Sequence, residues 1–412
     1  MTSERTIEEV QGKIDRKEAK VYTASEFKGM LRSGKCMGIE DVDVVTCGTF
    51  GVMSGTMAVF TVPITDQGVF KRADSITMNG VPGNVGPCPN ESLGLVDCIF
   101  YGTARRDGSY GGGHLFRDLV SREPVEVSVM SEGRRFSKVM TLDDIPYAKM
   151  IMIRSGFKNY TGFANGSADG VTTIFSGPEP MGGCMSEASV SGCGELNPLE
   201  NDPTADYLRC GSSVMLNGAP GMILGEGTRS SPGKPNLSIQ ADMHMMRSDL
   251  MGGFRTSEGP ECLISIAAAI PVTSKRSLDA LSVMDEDVVL PLADVRDRKP
   301  MYEDRYSSVW KGTDIDVKTD RSRCLDCDDC LADRSCPVDA GPSKGPDPSL
   351  CMSCGICVRA CVGGVFKASL GELTFGGTRV PIGTRQSSRF KADRSCRDLK
   401  DKVENGEWNL RC

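Results

Sequence analysis

Apolar side chains recur along this chain with two different spacings, which together predict a mixture of helices and strands. Apolar positions three to four residues apart over 7–14 predict a first short helix. The segment Thr23–Glu26 has the spacing of a capping box, and Gly34 would end the helix that follows it. Thr141–Asp144 is a comparable start signal, so we expect a third helix over Ile145–Ile153.

Short runs rich in β-branched and aromatic residues predict several strands. These runs are Val42–Thr46, Met57–Val62, Leu95–Phe100, Val125–Met130 and Ser213–Leu216. The longest apolar run, Cys262–Val272, has 11 residues where a membrane-spanning helix needs about 20, so it predicts a buried strand or a core helix. Helices and strands interleave without a repeat, which indicates an α+β (mixed α/β) fold and leaves the order of its strands undetermined.

The chain divides at about residue 316. Residues 1–315 are glycine-rich and carry most of the predicted helices and strands, whereas residues 316–366 hold eight of the 18 cysteines. In the tail, residues 367–412, strand-like alternation up to Ile382 is followed by a polar stretch, Ser395–Glu404, that predicts a final helix. The tail is too short for an independent domain, so we expect it to pack back on the main body.

The composition narrows the class of protein. A content of 39% apolar and 25% charged residues is typical of a soluble globular protein, and the net charge of −7 argues against nucleic-acid binding. The charged N-terminus lacks the apolar stretch of a signal peptide, so we expect a cytoplasmic protein without membrane contact. In a reducing cytoplasm, clustered cysteines more often bind metal than form disulfides. With only two histidines present, the ligands for a soft metal would be thiolates.

Two cysteine triplets repeat the C-x2-C-x2-C spacing of bacterial two-cluster ferredoxins. We call Cys324, Cys327 and Cys330 the first motif, and Cys351, Cys354 and Cys357 the second motif. Each triplet wraps three corners of a cubane, and a fourth thiolate reaches across to the other cluster. The predicted ligand sets are Cys324, Cys327, Cys330 and Cys361 for one 4Fe–4S cluster, and Cys351, Cys354, Cys357 and Cys336 for the other.

Two departures from the ferredoxin pattern leave every ligand in place. Five residues, rather than three, precede Cys336, and Val362 replaces the usual proline after Cys361. A pair of structural zinc sites, the alternative, would not need interlocked triplets. The pattern therefore predicts a two-cluster 4Fe–4S ferredoxin-like domain over residues 316–366. Because such clusters pass single electrons, we expect the chemistry in the preceding region.

That region offers several thiols and one histidine as candidate catalytic residues. Cys184, Cys193 and Cys210 could hold a further metal or carry sulfur as a persulfide, although small buried cysteines are also common in cores. Cys88 lies between prolines in a glycine-rich loop, where an exposed thiol can be reactive. Cys47 ends a predicted strand, where core packing is the simpler interpretation.

His114 follows a run of three glycines, and this arrangement resembles an anion-binding loop at a helix N-terminus. Gly112 and Gly113 would then bind an anionic group of the substrate, and His114 could act as a general acid or base at a carbonyl oxygen. Three arginines are further candidates for clamping a carboxylate or a sulfonate, with surface ion pairs as the alternative: Arg105, Arg106 and Arg229.

Five segments carry a resemblance to a known family. They are TFGVMSG (49–55), YGGGHLFRDLV (110–120), TLDDIPYA (141–148), SGCGELNPLENDP (191–203) and LNGAPGMILGEGTRS (216–230). In their order and lengths they resemble the archaeal and bacterial family of homocysteine-forming L-aspartate semialdehyde sulfurtransferases. The fused ferredoxin-like domain makes the chain most similar to the branch called the methanogenesis marker 16 metalloprotein. The resemblance implies that residues 1–315 are an aldehyde sulfurtransferase-like domain.

The resemblance also implies a reaction in which an aldehyde gains sulfide, loses water and takes up two electrons to become a thiol. Homocysteine-forming members carry a cysteine after the FG-x-M block and another before the segment matching TLDDI. Here the first position is Ser54, and the segment 131–138 contains no cysteine. Sulfoacetaldehyde, which would give coenzyme M, is therefore our expected substrate, and L-aspartate semialdehyde, which would give homocysteine, is the alternative.

The expected partners are a small aldehyde, a sulfide or persulfide donor and an external low-potential electron donor. The oligomeric state is left open, with a homo-oligomer as one option. Our mechanistic hypothesis has a thiolate of the large domain receive sulfur as a persulfide, after which His114 or backbone N–H groups assist loss of the aldehyde oxygen. An alternative of another class is an electron-transfer subunit without catalysis of its own.

Overall fold

The computed structural model describes residues 4–89, 91–156, 158 and 160–412. Within these residues there are nine α-helices and 22 strands, so the predicted mixed α/β class is confirmed. The helices are α1 Ile7–Asp15, α2 Ala24–Arg32, α3 Gly112–Val120, α4 Pro198–Asn201, α5 Lys275–Leu281, α6 Ser307–Trp310, α7 Leu331–Arg334, α8 Ile356–Ala360 and α9 Arg389–Glu404. No described helix has the length and apolar character needed to cross a membrane.

The strands of the first half of the chain are β1 Val21–Thr23, β2 Val44–Val52, β3 Gly55–Pro63, β4 Ser75–Met78, β5 Val81–Val85, β6 Leu95–Tyr101, β7 Val125–Ser131, β8 Arg134–Met140, β9 Tyr147–Ser155, β10 Gly162–Ala164 and β11 Ala188–Val190. Those of the second half are β12 Ser213–Leu216, β13 Ala219–Glu226, β14 Leu237–Asp242, β15 Gly252–Thr256, β16 Gly259–Pro271, β17 Val289–Asp294, β18 Pro300–Arg305, β19 Lys318–Thr319, β20 Phe366–Lys367, β21 Glu372–Phe375 and β22 Thr378–Arg385. Each predicted strand overlaps an observed one, and the apolar run from Cys262 is β16.

Local capping chemistry starts the first two helices, as the sequence predicts. Thr6 and Thr23 accept hydrogen bonds from the backbone three residues on, and a glutamate at that position completes each capping box. The helix predicted after Thr141 is wrong. A single 3-10 turn, Leu142–Asp144, is followed by β9, whose side chains alternate between buried and less buried positions. Packing on one face of a sheet thus overrides the local start signal.

A sheet of 14 strands forms the main body. Its order is β1-β2-β16-β12-β13-β14-β9-β3-β6-β5-β4-β7-β8, with β15 paired to β16. The antiparallel pair β2–β16 runs from Leu263 opposite Val52 to Pro271 opposite Val44, and both strands are buried almost throughout. The long pairing explains why the apolar run from Cys262 shows no alternation, since both of its faces are covered.

The tail takes part in two layers of the structure. Strand β22 lies in a second sheet of six strands, ordered β18-β17-β10-β11-β22-β21. Helix α9 lies against β2 and β16, and it begins six residues before the predicted Ser395 because the side chain of Ser388 caps it.

The cysteine-rich segment has little secondary structure of its own beyond α7, α8 and the short pair β19–β20. One part of it is continuous with the main core: Cys336, Val338, Met352 and Cys354 are buried in the same apolar cluster as the central strands. The backbone N–H of Arg385, at the end of β22, donates to the Cys354 carbonyl oxygen at 2.9 Å. The second motif is therefore packed against the large domain.

Candidate functional site

A cavity of about 170 Å³ lies where α3, β15, the first turn of α9 and the chain before the second motif meet. Its polar lining residues are Tyr110, His114, Arg117, Asp118, Asp339 and Lys391. We call it the His114 pocket. Wider clefts of about 500 and 540 Å³ lie elsewhere on the surface, but this smaller pocket gathers a histidine and two cations around one cavity. Such convergence is the usual mark of a binding site.

The imidazole of His114 is held in one orientation. The Gly111 backbone N–H donates to Nδ1 at 3.3 Å, so the proton of the neutral ring lies on Nε2. The Tyr110 ring stacks on the imidazole with 5.4 Å between centroids. On the other side, a Cβ atom placed on Gly253 would come within 2.1 Å of Nδ1, so only glycine leaves room for the ring.

The same surroundings keep His114 neutral. Burial, followed by the charges of Arg255 and Arg117, lowers its pKa to about 4. Its Nε2 atom is buried and has no hydrogen-bond partner among the described residues. A buried donor without a partner is costly, so Nε2–H is available to an acceptor that enters the pocket.

Two cationic side chains join His114 at the pocket. Arg117 follows one helical turn later on α3, and its Nε atom is buried without a hydrogen-bond partner in the described part of the chain. Lys391, at the start of α9, donates from Nζ to the carbonyl oxygens of Asp249 and Ser349, each at 2.7 Å. Burial lowers the pKa of Lys391 to about 8.

The two carboxylates of the pocket are already engaged. Tyr110 donates its hydroxyl to Asp118 at 2.6 Å, and Asp339 forms an ion pair with Arg255 at 2.7 Å. Burial raises the pKa of both carboxyl groups. The pocket therefore offers positive charge and a neutral N–H donor, a combination that suits a small anion carrying a carbonyl group.

Residues next to the second predicted ligand set form part of the pocket wall. Val338 and Leu350 line the pocket, the first just after Cys336 and the second just before Cys351. The thiols of the second predicted ligand set lie close enough together that Cys336 and Cys351 each raise the pKa of Cys357, after burial as the main cause. The second predicted ligand set is therefore a neighbour of the His114 pocket.

All four thiols of the first predicted ligand set line a single cavity of about 670 Å³: Cys324, Cys327, Cys330 and Cys361. A space of this size, walled by four thiols, fits a cluster. Among the described residues no group of three or more His, Cys, Asp or Glu side chains is arranged around one metal ion. This does not bear on a cubane, because each of its thiolates binds a different iron atom. Both ligand sets remain predictions.

The other candidate thiols do not meet one another or the His114 pocket. Cys184 lies in an exposed turn where its N–H donates to Ser167, and Cys210 lies in another exposed turn. Cys193 is fully buried, with Sγ 3.8 Å from the carbonyl oxygens of Phe50 and Ser388. The structure thus does not assemble Cys184, Cys193 and Cys210 into a metal site.

Cys88 and Cys47 also lie outside the pocket lining. Cys88 is exposed beyond β5, near the Leu95 end of β6, whereas α3 follows the Tyr101 end of that strand. Seven residues of strand put the two ends roughly 20 Å apart. Cys47 is fully buried within β2, and burial raises its pKa to about 12. Neither thiol contacts the pocket.

The expected anion-binding loop before His114 is wrong. The Gly112 N–H donates to Ala104 and the Gly113 N–H to Gly102, so neither amide is free for a ligand. These glycines instead permit close packing: a Cβ atom on Gly112 would lie 2.1 Å from the Tyr101 carbonyl oxygen.

The three candidate arginines also lie outside the pocket lining. Arg105 donates to the Glu258 carbonyl oxygen, Arg106 pairs with Asp107, and Arg229 is exposed in a turn. The arginine that does line the pocket, Arg117, could have been found from its position three residues after His114, because that spacing places both on one helix face.

Comparisons with known proteins are consistent with this picture. Residues 19–410 match the family described as "Homocysteine biosynthesis enzyme, sulfur-incorporation". The chain belongs to this family. The resemblance inferred from the sequence is therefore confirmed, and the chain is a member of an enzyme family. No solved structure matches it.

Three archaeal relatives illustrate the range of the family. Uncharacterized proteins of Methanothermobacter thermautotrophicus and Methanocaldococcus jannaschii are 44% and 42% identical. The matches cover 98% and 96% of this chain, and 94% and 100% of the relatives. The L-aspartate semialdehyde sulfurtransferase of Methanosarcina acetivorans is 27% identical over 75% of this chain and 63% of its own length.

The two positions at which the sequence resemblance leads us to expect cysteine in homocysteine-forming members lie apart in this structure. Ser54 is exposed in the turn between β2 and β3, next to the buried Glu261, whose pKa is raised by burial. The segment 131–138 forms the β7–β8 hairpin at the far edge of the main sheet. No cysteine lines the His114 pocket in the described residues.

Proposed function

We propose that this chain is a sulfurtransferase that converts a small anionic aldehyde into a thiol within the His114 pocket. The observation that carries the proposal is one cavity that brings the unpartnered N–H of His114 and the guanidinium of Arg117, whose Nε is buried without a partner, next to Val338 and Leu350, which flank the second predicted ligand set. Family membership supplies the sulfurtransferase chemistry. In the overall reaction one aldehyde, one hydrogen sulfide, two electrons and two protons give one thiol and one water.

The residues of the pocket have separate roles in this scheme. Arg117 binds the anionic group of the substrate, and the Nε2–H of His114 donates to the carbonyl oxygen. Because His114 is neutral, it stabilises negative charge that develops on this oxygen as hydrosulfide adds to the carbonyl carbon. Lys391, whose pKa is about 8, is suited to give a proton to the oxygen as the C–O bond breaks and water leaves.

The remaining step is reduction of the carbon–sulfur double bond by two electrons and two protons. Clusters held by the two predicted ligand sets would supply electrons singly at low potential, taken from an external low-potential donor. Sulfur enters this scheme as hydrosulfide, since no cysteine lines the described pocket. The exposed thiols of Cys88, Cys184 and Cys210 remain candidates for receiving sulfur from a persulfide donor at the surface.

Two substrates are in question. The Methanosarcina acetivorans relative favours L-aspartate semialdehyde by its name. The charge of the pocket favours sulfoacetaldehyde, because an amino-acid substrate brings an ammonium group and both pocket carboxylates are already bonded, Asp118 to Tyr110 and Asp339 to Arg255. We propose sulfoacetaldehyde, with coenzyme M as product, and L-aspartate semialdehyde as the second candidate.

The test supplies each aldehyde separately to anaerobically purified protein with sulfide and a low-potential reductant, and identifies the thiol products by mass. Coenzyme M supports the proposed substrate, and homocysteine alone would replace it with the second candidate. A His114→Asn variant, with unchanged iron content, should lose most of the product. If the wild-type protein with both clusters intact forms neither thiol, the chain is better described as an electron-transfer subunit. The observation in favour of that alternative is that no cysteine lines the described pocket.

A further inference from the structure

Arg255 connects the segment that carries Cys336 to the large domain. Its backbone N–H donates to the Pro337 carbonyl oxygen at 2.7 Å. This hydrogen bond joins strand β15 directly to the cysteine-rich segment. Its guanidinium donates from Nη2 to the Cys336 carbonyl oxygen at 2.5 Å and pairs with Asp339 at 2.7 Å. One residue therefore holds the backbone at two consecutive residues, the predicted cluster ligand Cys336 and Pro337.

The same strand faces the His114 pocket. Gly253, two residues before Arg255, packs against the imidazole of His114, and Asp339 lines the pocket. The positive charge of Arg255 also acts on His114, where it helps to keep the ring neutral. Arg255 thus stands between the catalytic pocket and the segment from which electrons would arrive.

The charge of Arg255 acts in an environment that screens it weakly. Its side chain is only 17% exposed, and the chain around Cys336 is buried. A cation close to an iron–sulfur cluster favours the reduced form, which carries one more negative charge, and so raises the reduction potential. Asp339, 57% exposed, opposes part of this effect.

We propose that Arg255 is a positioning residue for electron delivery: it holds the Cys336 segment at the wall of the His114 pocket and raises the reduction potential of the cluster that Cys336 would complete. The inference rests on the proposed function, since it assumes that electrons leave this cluster for the pocket. Asp339 tunes the same potential in the opposite direction. Neither residue needs to touch the substrate.

The experiment is an anaerobic redox titration, monitored by electron paramagnetic resonance, of protein with a full iron content. In Arg255→Gln the potential of one cluster should fall while that of the other stays constant. In Asp339→Asn the potential of that same cluster should rise. Arg255→Lys, which keeps the charge, should stay near the wild type. Arg276→Gln, which removes an exposed arginine paired with Asp206, is the charge-matched control and should shift neither potential.

A kinetic measurement separates positioning from charge. When reduced protein is mixed with aldehyde and sulfide, cluster reoxidation should slow about tenfold in both Arg255→Gln and Arg255→Lys, because both lose the guanidinium that bonds Cys336 and Asp339 together, while the backbone contact to Pro337 stays. Reduction by dithionite should keep its wild-type rate. Equal slowing of both half-reactions would overturn the positioning role.

Unchanged potentials in both Arg255→Gln and Asp339→Asn, or equal shifts of both clusters, would overturn the proposal for Arg255. Loss of iron from Arg255→Lys as well as Arg255→Gln would overturn it in favour of a role in cluster assembly. If Arg255→Gln does not fold, the reoxidation rate of Arg255→Lys still tests the positioning role, and an unchanged rate would overturn it. A different outcome would be that the potential falls in Arg255→Gln and rises in Asp339→Asn while the wild-type protein makes no thiol. That result would refute the proposed reaction, but it would still support the effect of Arg255 on this cluster.

Discussion

Replacing Gly253 with alanine tests whether the orientation of His114 determines the activity. An alanine Cβ would lie 2.1 Å from Nδ1 and Cε1 of the imidazole, where ordinary contacts begin at 3.4 Å, so the ring must move by more than 1 Å. Strand β15 tolerates alanine at this position without backbone strain, because Gly253 has no positive φ. A displacement of this size at a group that stabilises the transition state costs roughly 100-fold in rate.

The assay is thiol formation under anaerobic conditions, with iron content and thermal unfolding measured on the same samples. Gly252→Ala is the matched control, since its Cβ would meet only the Arg117 Cδ atom at 3.4 Å, an ordinary contact. We expect the catalytic rate of Gly253→Ala to fall about 100-fold, and that of Gly252→Ala to fall far less.

A double-mutant cycle gives the sharper result. In a His114→Asn background the Gly253→Ala change should cost little more, because the group that it displaces is already absent. If Gly253→Ala costs the same rate factor with and without His114, or if Gly252→Ala is equally damaging, the imidazole is not the group through which β15 affects the reaction.

Three further predictions concern the pocket and the cysteines. Arg117→Met should raise KM for the aldehyde roughly 10- to 100-fold with little change in protein stability, and an unchanged KM would remove Arg117 from anion binding. Because the pKa of His114 is lowered from 6.5 to about 4, the unfolded chain binds a proton more readily, and stability is lost as the pH falls through this range. Urea unfolding should therefore show the wild type losing about 2 kcal/mol more than His114→Gln between about pH 7 and pH 5, and equal losses would contradict the assigned environment. Cys336→Ala should lower the iron content by about half, whereas Cys88→Ala should leave it unchanged, and the reverse pattern would refute the predicted ligand sets.

The parts of the fold that the sequence predicts are those decided locally. The capping boxes at Thr6 and Thr23 act within one helical turn, so both helices start where expected. The start signal at Thr141 is equally local, but the residues after it alternate with period two and pair with β3 and β14, which the local signal cannot reveal. The helix predicted after Thr141 is therefore wrong because long-range strand pairing outweighs the local start signal.

The candidate site likewise has residues that the sequence could identify and residues that it could not. His114 could be singled out as one of two histidines beside a glycine run, and Arg117 was within reach by its helical spacing. The glycines were misinterpreted because tight packing and anion binding both require the absence of a side chain. Lys391 and Arg255 could not be identified, since their roles depend on contacts with Ser349 and Cys336, far away along the chain.

The placement of the tail has a consequence for how the cysteine-rich segment is attached. Strand β22 belongs to the six-stranded sheet, helix α9 packs against the main sheet, and both follow residues 316–366 in the chain. The segment is thus an insertion, tethered at both ends, rather than an appendage that a single cut would release. A truncation before it would also remove an interior strand and a core helix, so separating the two parts requires excision and rejoining. Two anchored ends also keep its effective concentration at the pocket high without a strong interface.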